Sequence, residues 1–171
     1  MRFILPLMIL ISFNLQAEEV CSLEAIELTA DSPSAEKLFY MGTCFFRNEN
    51  YEMASKHWSE LTTAKNIPTE FNELKIGANN NLGYLLFFGY GTAENKALAL
   101  THWNYAILLG HSESEYHLCH AYADKKQPTY NAEKALMHCK KAKLIYQGIK
   151  DADQDDKIML EHIKKYLKSL G

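Results

Sequence analysis

Apolar residues recur along the middle of the chain at the spacing of an α-helix, in two stretches that a turn separates. In the first stretch, the apolar and small side chains three or four residues apart are Ala78, Leu82, Leu85 and Leu86. The sequence GYGT at residues 89–92 interrupts the pattern, because glycine favours turns over helix interiors. Gly110 ends the second stretch, whose helical stripe is Leu98, Ala99, His102, Trp103 and Ala106. The pattern predicts two helices joined by a turn.

Two other parts of the chain carry the same landmarks. The pattern Ala-x-x-His occurs at residues 54–57, 99–102 and 135–138, and upstream of each copy an apolar residue precedes a small one. Those pairs are Met41–Gly42, Leu82–Gly83 and Leu118–Cys119. Glycine inside a helix costs about 1 kcal/mol relative to alanine, so its recurrence predicts close approach of a second helix. The sequence therefore predicts three successive helical hairpins.

Local signals place the ends of several predicted helices. Pro33 is typical of a first helical turn, and Ser112 with Glu115 three residues later has the spacing of a capping box. Pro68 in the sequence KNIPTEF predicts a linker between the first two hairpins. The tail predicts a last amphipathic helix that covers the end of the stack, and its apolar face is Ile158, Met159, Ile163, Tyr166, Leu167 and Leu170.

The segment 78–110 resembles a Sel1-like repeat, a relative of the tetratricopeptide repeat. The residues that match the family pattern are Ala78, Leu82, Gly83, Tyr84, Gly89, Gly91, Ala99, Trp103, Ala106 and Gly110. Leu98 departs from it, since the family usually has lysine there, and the third copy has Cys119 for glycine and lacks the Gly-x-Gly turn. The resemblance covers roughly residues 32–148. It implies an all-α fold, a right-handed α/α solenoid of about three helix-turn-helix repeats with a C-terminal capping helix.

The first seventeen residues predict a signal peptide, which leaves residues 18–171 as one helical repeat domain. Arg2 is a short basic start, residues 3–13 are apolar, and LQA ending at Ala17 offers a cleavage site. An uncleaved anchor is the alternative, although the apolar run is short for a bilayer span. The net charge is −3 and the sequence has no polybasic segment, which argues against nucleic acid as a partner. We expect a periplasmic or secreted protein with no membrane insertion after cleavage.

All four cysteines follow the predicted cleavage site, which fits an oxidising compartment. Four cysteines allow three complete pairings, and sequence alone does not normally choose among them. In the hairpin register, Cys119 replaces the small residue of the first helix and Cys139 replaces the tryptophan of the second. We therefore expect a Cys119–Cys139 disulfide, with Cys21 and Cys44 left to pair. Free buried thiols are the alternative.

The histidines raise the question of a metal site. Equivalent places in the three hairpins are taken by His57, His102 and His138. Equivalent helices in a stack lie about 8–10 Å apart, whereas zinc holds nitrogen ligands at about 2.0–2.1 Å, so one shared ion is not expected. His117 and His120, with Asp124 one turn on, are an alternative metal site. We expect neither a metal nor another cofactor.

An enzymatic function rests on one short motif. The sequence SAEK at residues 34–37 fits the Ser-x-x-Lys of serine β-lactamases, but the sequence contains neither Lys-Thr-Gly nor Ser-Asp-Asn. Some cysteine-rich relatives of the Sel1-like family are described as β-lactamases or penicillin binders. A hydrolase of that type is therefore the alternative function that the resemblance implies.

The resemblance favours a non-enzymatic protein that binds a protein partner on a concave face. The first helix of each hairpin would line that face, and the inward positions would be Phe39, Thr43, Phe46, Arg47, Asn80, Tyr84, Phe87, Phe88, Tyr116, His120 and Asp124. Aromatic residues with a few polar groups are typical of protein-binding surfaces. Burial of the phenylalanines against neighbouring helices is the alternative. The expected role is an immunity or adaptor protein for a secreted effector or an envelope complex.

Overall fold

The computed structural model describes residues 20–171, and within that range the chain is all-helical, as predicted. The predicted signal peptide lies outside the described residues. None of the helices in the described range is long and apolar enough to cross a bilayer. A short 3₁₀ helix spans Thr69–Phe71, and the α-helices are α1 (Ser34–Arg47), α2 (Tyr51–Thr63), α3 (Asn72–Phe88), α4 (Lys96–Leu108), α5 (Glu113–Ala123), α6 (Ala132–Gly148) and α7 (Gln154–Leu170).

Consecutive helices pack in pairs, α1 with α2, α3 with α4 and α5 with α6. These pairs coincide with the three predicted hairpins. α2 also packs on α3, α4 on α5, and α7 on both α6 and α5. Further contacts join α1 to α3 and α3 to α5, so the first helices of the three pairs are neighbours.

The second helix of every pair begins with the same cap. Asn50, Asn95 and Asn131 precede α2, α4 and α6, and each side-chain oxygen accepts the backbone N–H three residues later. An asparagine at this position satisfies an N–H that has no partner inside the helix, which contributes about 1 kcal/mol. Each asparagine lies four residues before the alanine of an Ala-x-x-His copy, so the repeated sequence unit begins earlier than the histidine motif.

A glycine–tryptophan contact joins the two helices in each of the first two pairs. A Cβ atom at Gly83 would lie 2.6 Å from Nε1 of Trp103, and one at Gly42 would lie 2.5 Å from Nε1 of Trp58. The indole N–H of Trp103 donates to the backbone carbonyl of Asn80 over 3.0 Å. Only glycine leaves room for this approach, which explains its recurrence inside the helices.

A disulfide occupies the equivalent position in the third pair. Cys119 on α5 and Cys139 on α6 are bonded, with their Cα atoms 4.6 Å apart and both residues fully buried. A second disulfide, Cys21–Cys44, attaches the N-terminal segment to α1. Both pairings agree with those expected from the sequence, and no cysteine between residues 20 and 171 is free.

Two predicted helix starts are wrong in detail. α1 begins at Ser34, with Pro33 at its N-cap position rather than in its first turn. Ser112 has helical backbone angles and its side chain makes no cap hydrogen bond. Glu115 reaches α6 instead of its own helix start, and its Oε2 lies 2.6 Å from Nδ1 of His138. A buried carboxylate gains more from a buried histidine than from a solvent-exposed helix end, so the capping box does not form.

Candidate partner-binding groove

A groove of about 520 Å³ lies along the first helices of the three pairs. Met159 of α7 lines one part of it, and the indoles of Trp58 and Trp103 reach it from α2 and α4. The side chains from α1, α3 and α5 that line it are Thr43, Phe46, Arg47, Asn80, Asn81, Tyr84, Phe88, Glu113, Tyr116, His117 and His120.

Tyr84 is at the centre of an aromatic wall. Its ring centroid lies 6.1 Å from that of Phe46, 4.9 Å from that of Phe88 and 5.9 Å from that of His117. Phe88 in turn stacks on the exposed ring of Tyr90 at 5.6 Å. Burial raises the pKa of Tyr84, so its hydroxyl stays neutral and keeps its donor hydrogen. Such rings offer a large contact area for little loss of side-chain entropy on binding.

Asn80 belongs to the groove wall, but its side chain is used within the fold. Ser114 Oγ lies 2.7 Å from Asn80 Oδ1, where the hydroxyl donates to the amide oxygen. Asn80 Nδ2 donates to Glu113 Oε2 over 3.3 Å and to Asn81 Oδ1 over 3.4 Å. The residue is only 2% exposed. Asn80 therefore fastens α3 to α5 instead of presenting its amide to a ligand.

Side chains of opposite charge lie on different helices that line the groove. Arg47 is exposed at the end of α1, and Glu113 lies in the first turn of α5. His117 Nε2 is 3.5 Å from Glu113 Oε1, and this interaction lowers the pKa of the carboxyl. Glu113 therefore remains an acceptor well below neutral pH. The half-buried amide of Asn81 lies on α3, between these two helices in sequence.

Two tyrosine–histidine hydrogen bonds hold α7 beside the groove. The hydroxyl of Tyr116 lies 3.2 Å from Nδ1 of His162, and that of Tyr166 lies 2.6 Å from Nδ1 of His120. Burial raises the pKa of Tyr116 to about 12 and lowers that of His120. The lowered pKa favours a neutral His120, in which one of the two ring nitrogens, Nδ1 or Nε2, carries the hydrogen. That Nε2 is buried without a hydrogen-bond partner in the described chain.

Most of the predicted concave-face residues line this groove, namely Thr43, Phe46, Arg47, Asn80, Tyr84, Phe88, Tyr116 and His120. Phe39 does not, because its ring lies against Gly77 and borders a smaller cavity beside the N-terminal segment. Asp124 lies at the turn after α5, where it accepts the backbone N–H of Lys126. Phe87 is 1% exposed and belongs to the core.

Some groove residues were not predicted from the sequence. Asn81 follows Asn80 in ANNNLG, and the run of three asparagines in a helix was the available signal. Met159 belongs to the predicted apolar face of the last helix, but only the packing of α7 on α5 brings it to the groove. The sequence suggests His117 only as a metal ligand, whereas its ring stacks on that of Trp103 with the ring centroids 5.0 Å apart.

The three motif histidines serve separate helix pairs. His102 Nδ1 lies 2.8 Å from Oδ1 of Asn79 on α3, and His138 binds Glu115 on α5 as described above. His57 stacks on an aromatic ring of α1. Between residues 20 and 171, no three His, Cys, Asp or Glu side chains are grouped as metal ligands would be.

The Ser-x-x-Lys motif lies at the start of α1. Ser34 is the first residue of the helix, and Lys37 Nζ donates to the backbone carbonyl of Ala30 over 2.7 Å. Lys37 therefore attaches the N-terminal segment to α1. Neither residue lines the groove.

Comparison with known proteins adds no identification. The chain matches no protein-family model, and no curated protein matches it at significant similarity.

Proposed function

We propose that the chain is a right-handed α/α solenoid of three Sel1-like, tetratricopeptide-like repeats capped by α7, and that its groove binds a segment of a protein partner. The solenoid is supported by contacts that recur at equivalent positions, above all Gly42–Trp58 and Gly83–Trp103. The groove supports the function, because its volume of about 520 Å³ combines an aromatic wall with polar groups from three helices.

The groove suits an extended peptide that carries an apolar side chain and an acidic group. The rings of Tyr84 and Phe88 would receive the apolar side chain, and Arg47 would pair with a carboxylate. The amide of Asn81 would hydrogen-bond to the peptide backbone.

The wider role that we propose is an immunity or adaptor protein for a secreted effector or an envelope complex, acting by binding without catalysis. Two disulfides support a location in an oxidising compartment, the periplasm or the cell exterior. The signal peptide predicted from residues 1–17 agrees with that location.

Peptides that bind the immobilised protein are selected from a random phage-displayed library to test this proposal. Their affinity is measured by fluorescence polarisation for the wild type, for Tyr84→Ala and for Arg47→Gln. Loss of an interface anchor typically costs about 2 kcal/mol, so each variant should weaken binding by about thirtyfold. Tyr130→Ala is the matched control, because Tyr130 is 39% exposed and lies in the loop between α5 and α6, outside the groove.

The outcome is read together with circular dichroism of each variant, which checks that the helices are intact. Selected peptides that bind Tyr84→Ala and Arg47→Gln as tightly as the wild type would show that the groove is not the binding site. The same conclusion follows if Tyr130→Ala weakens binding as much as Tyr84→Ala.

A further inference from the structure

The outer surface of α4 and α6 exposes several large apolar side chains to solvent. Leu108 on α4 is 83% exposed and Leu144 on α6 is 72% exposed. The other exposed large apolar residues of the two helices are Leu98, Tyr105, Leu136 and Met137. We call these six residues, together with the lysines of α6, the α4/α6 surface.

The two helices contribute to one continuous surface. A shallow groove of about 400 Å³ lies between them, with Leu108 of α4 on one side and Met137 and Lys141 of α6 on the other. Leu144 lies one turn beyond Lys141 on α6, so it extends the same face. Leu108, Met137 and Leu144 are therefore grouped and not scattered singly.

The charge on this surface is opposite in sign to that of the whole chain. The chain has a net charge of −3, whereas α6 carries Lys134, Lys140, Lys141 and Lys143 and one acidic residue, Glu133. Lys141 pairs with Glu115 of α5, which also lines this shallow groove, so three of these lysines are left beside Glu133. On α4 the first residue, Lys96, pairs with Glu94, and the remainder of the helix has no Asp, Glu, Lys or Arg. At about 100° per residue, Lys140 and Lys143 lie on the same side of α6 as Leu136 and Leu144, whereas Lys134 lies on the opposite side of the helix from Lys143.

We propose that the α4/α6 surface docks this protein onto an anionic lipid surface. Exposed leucines and a tyrosine would enter the boundary between headgroups and acyl chains, and the lysines would attract the anionic headgroups. This attachment is peripheral, and it does not involve the groove along α1, α3 and α5. It does not depend on the proposed function.

Two other occupants fit the surface less well. A second copy in a two-fold dimer would place the same patch against itself, so the lysines of one α6 would face those of the other. An acidic soluble protein would satisfy the lysines, but it would have to supply an apolar face as well. A lipid surface provides both the negative charge and the apolar layer.

Co-sedimentation of the purified protein with lipid vesicles tests the proposal. We expect the protein to sediment with vesicles of mixed phosphatidylcholine and phosphatidylglycerol and much less with vesicles of phosphatidylcholine alone. Raising the salt from about 0.1 M to about 1 M shortens the Debye length from about 10 Å to about 3 Å. Binding should weaken over that range, because exposed lysines act through screened electrostatics.

Two double variants separate the charge from the apolar contact. Lys140→Gln with Lys143→Gln should weaken binding by about fivefold for each lysine removed. Leu108→Gln with Leu144→Gln should weaken it by about tenfold for each leucine.

The matched controls change exposed residues of α7, which lies on α5 and α6 away from α4. Lys165→Gln with Lys168→Gln controls for lost charge, and Ile158→Gln controls for lost apolar surface, since Ile158 is 43% exposed. These controls should bind as the wild type does.

Three results would overturn the proposal. The first is no preference for phosphatidylglycerol vesicles. The second is equal loss of binding in the α7 controls. The third is a dimer in analytical ultracentrifugation that both double variants dissociate, which would assign the α4/α6 surface to a second copy. Helicity measured by circular dichroism confirms that each variant compared is folded.

Discussion

Replacing Gly83 with alanine tests the packing that joins the helices of a pair. The added Cβ atom would lie 2.6 Å from Nε1 and 2.8 Å from Cδ1 of Trp103. Trp103 has little room to move, because it is 1% exposed and its ring centroid lies 5.3 Å from that of Phe87 and 5.0 Å from that of His117. Its N–H is also bonded to the carbonyl of Asn80. Relief of the clash therefore requires α3 and α4 to separate.

Three contributions set the size of the effect. Alanine is favoured over glycine in a helix interior by about 1 kcal/mol. Overpacking a close-packed core costs about 1–3 kcal/mol, and a buried indole N–H that loses its acceptor costs about 1–3 kcal/mol. The unfavourable contributions exceed the favourable one, so we expect Gly83→Ala to lower the free energy of unfolding by about 1–5 kcal/mol.

Urea unfolding followed by far-ultraviolet circular dichroism, with the disulfides intact, measures this change. Gly148→Ala is the matched control, since no atom lies within 4 Å of a Cβ at that position, at the end of α6. It should leave the free energy of unfolding unchanged or raise it by up to about 1 kcal/mol. Gly42→Ala should behave as Gly83→Ala does. If the free energy of unfolding of Gly83→Ala equals that of the wild type, the glycine–tryptophan contact does not hold the helix pair together.

Two further predictions concern the disulfide and the buried histidines. Replacing Cys119 and Cys139 with alanine should lower the free energy of unfolding by about 3 kcal/mol, because their bond closes a loop of 20 residues; an unchanged urea midpoint would contradict this. Burial lowers the pKa of four histidines, His57, His102, His111 and His120. Between those lowered pKa values and about 6.5 the unfolded chain binds more protons than the folded chain, so stability should fall as the pH drops through that window. Urea midpoints at about pH 7.5 and about pH 5.5 test this, and an equal or higher midpoint at the lower pH would refute it.

The helix pairs could be predicted from the sequence because their determinants are local and repeated. A glycine inside the first helix of each of the first two pairs, a tryptophan after Ala-x-x-His, and cysteines at both of these places in the third copy specify which faces meet. The asparagine caps at positions 50, 95 and 131 carry the same information. They were missed because a cap is one residue with a weak preference, and only its recurrence four residues before the alanine makes it a signal.

The groove was predicted less completely, because its lining depends on contacts between elements distant in sequence. The repeat pattern predicts an inward position for Phe39 on α1. Because α1 is the first helix, however, Phe39 lies beside the N-terminal segment, which the Cys21–Cys44 disulfide attaches to α1. Asp124 lies where α5 ends, so its carboxylate turns to the backbone of the following loop. Met159 comes from α7, whose position no repeat pattern specifies. Each discrepancy lies at an end of the stack or of a helix, where the repeat no longer defines the neighbours.

The groove has one side on α5, which a disulfide and hydrogen bonds hold, and one on α3, which hydrogen bonds and packing hold without a disulfide. α5 is fixed to α6 by the Cys119–Cys139 disulfide and to α7 by the two tyrosine–histidine bonds. It carries the groove's carboxylate and imidazoles, so these polar groups are positioned before any partner binds. The aromatic wall of Tyr84 and Phe88 lies on α3, and Phe88 is partly exposed at its rim. The polar groups of α5 should therefore keep their positions when a partner binds, while Phe88 at the rim adjusts to the shape of the side chain that it receives.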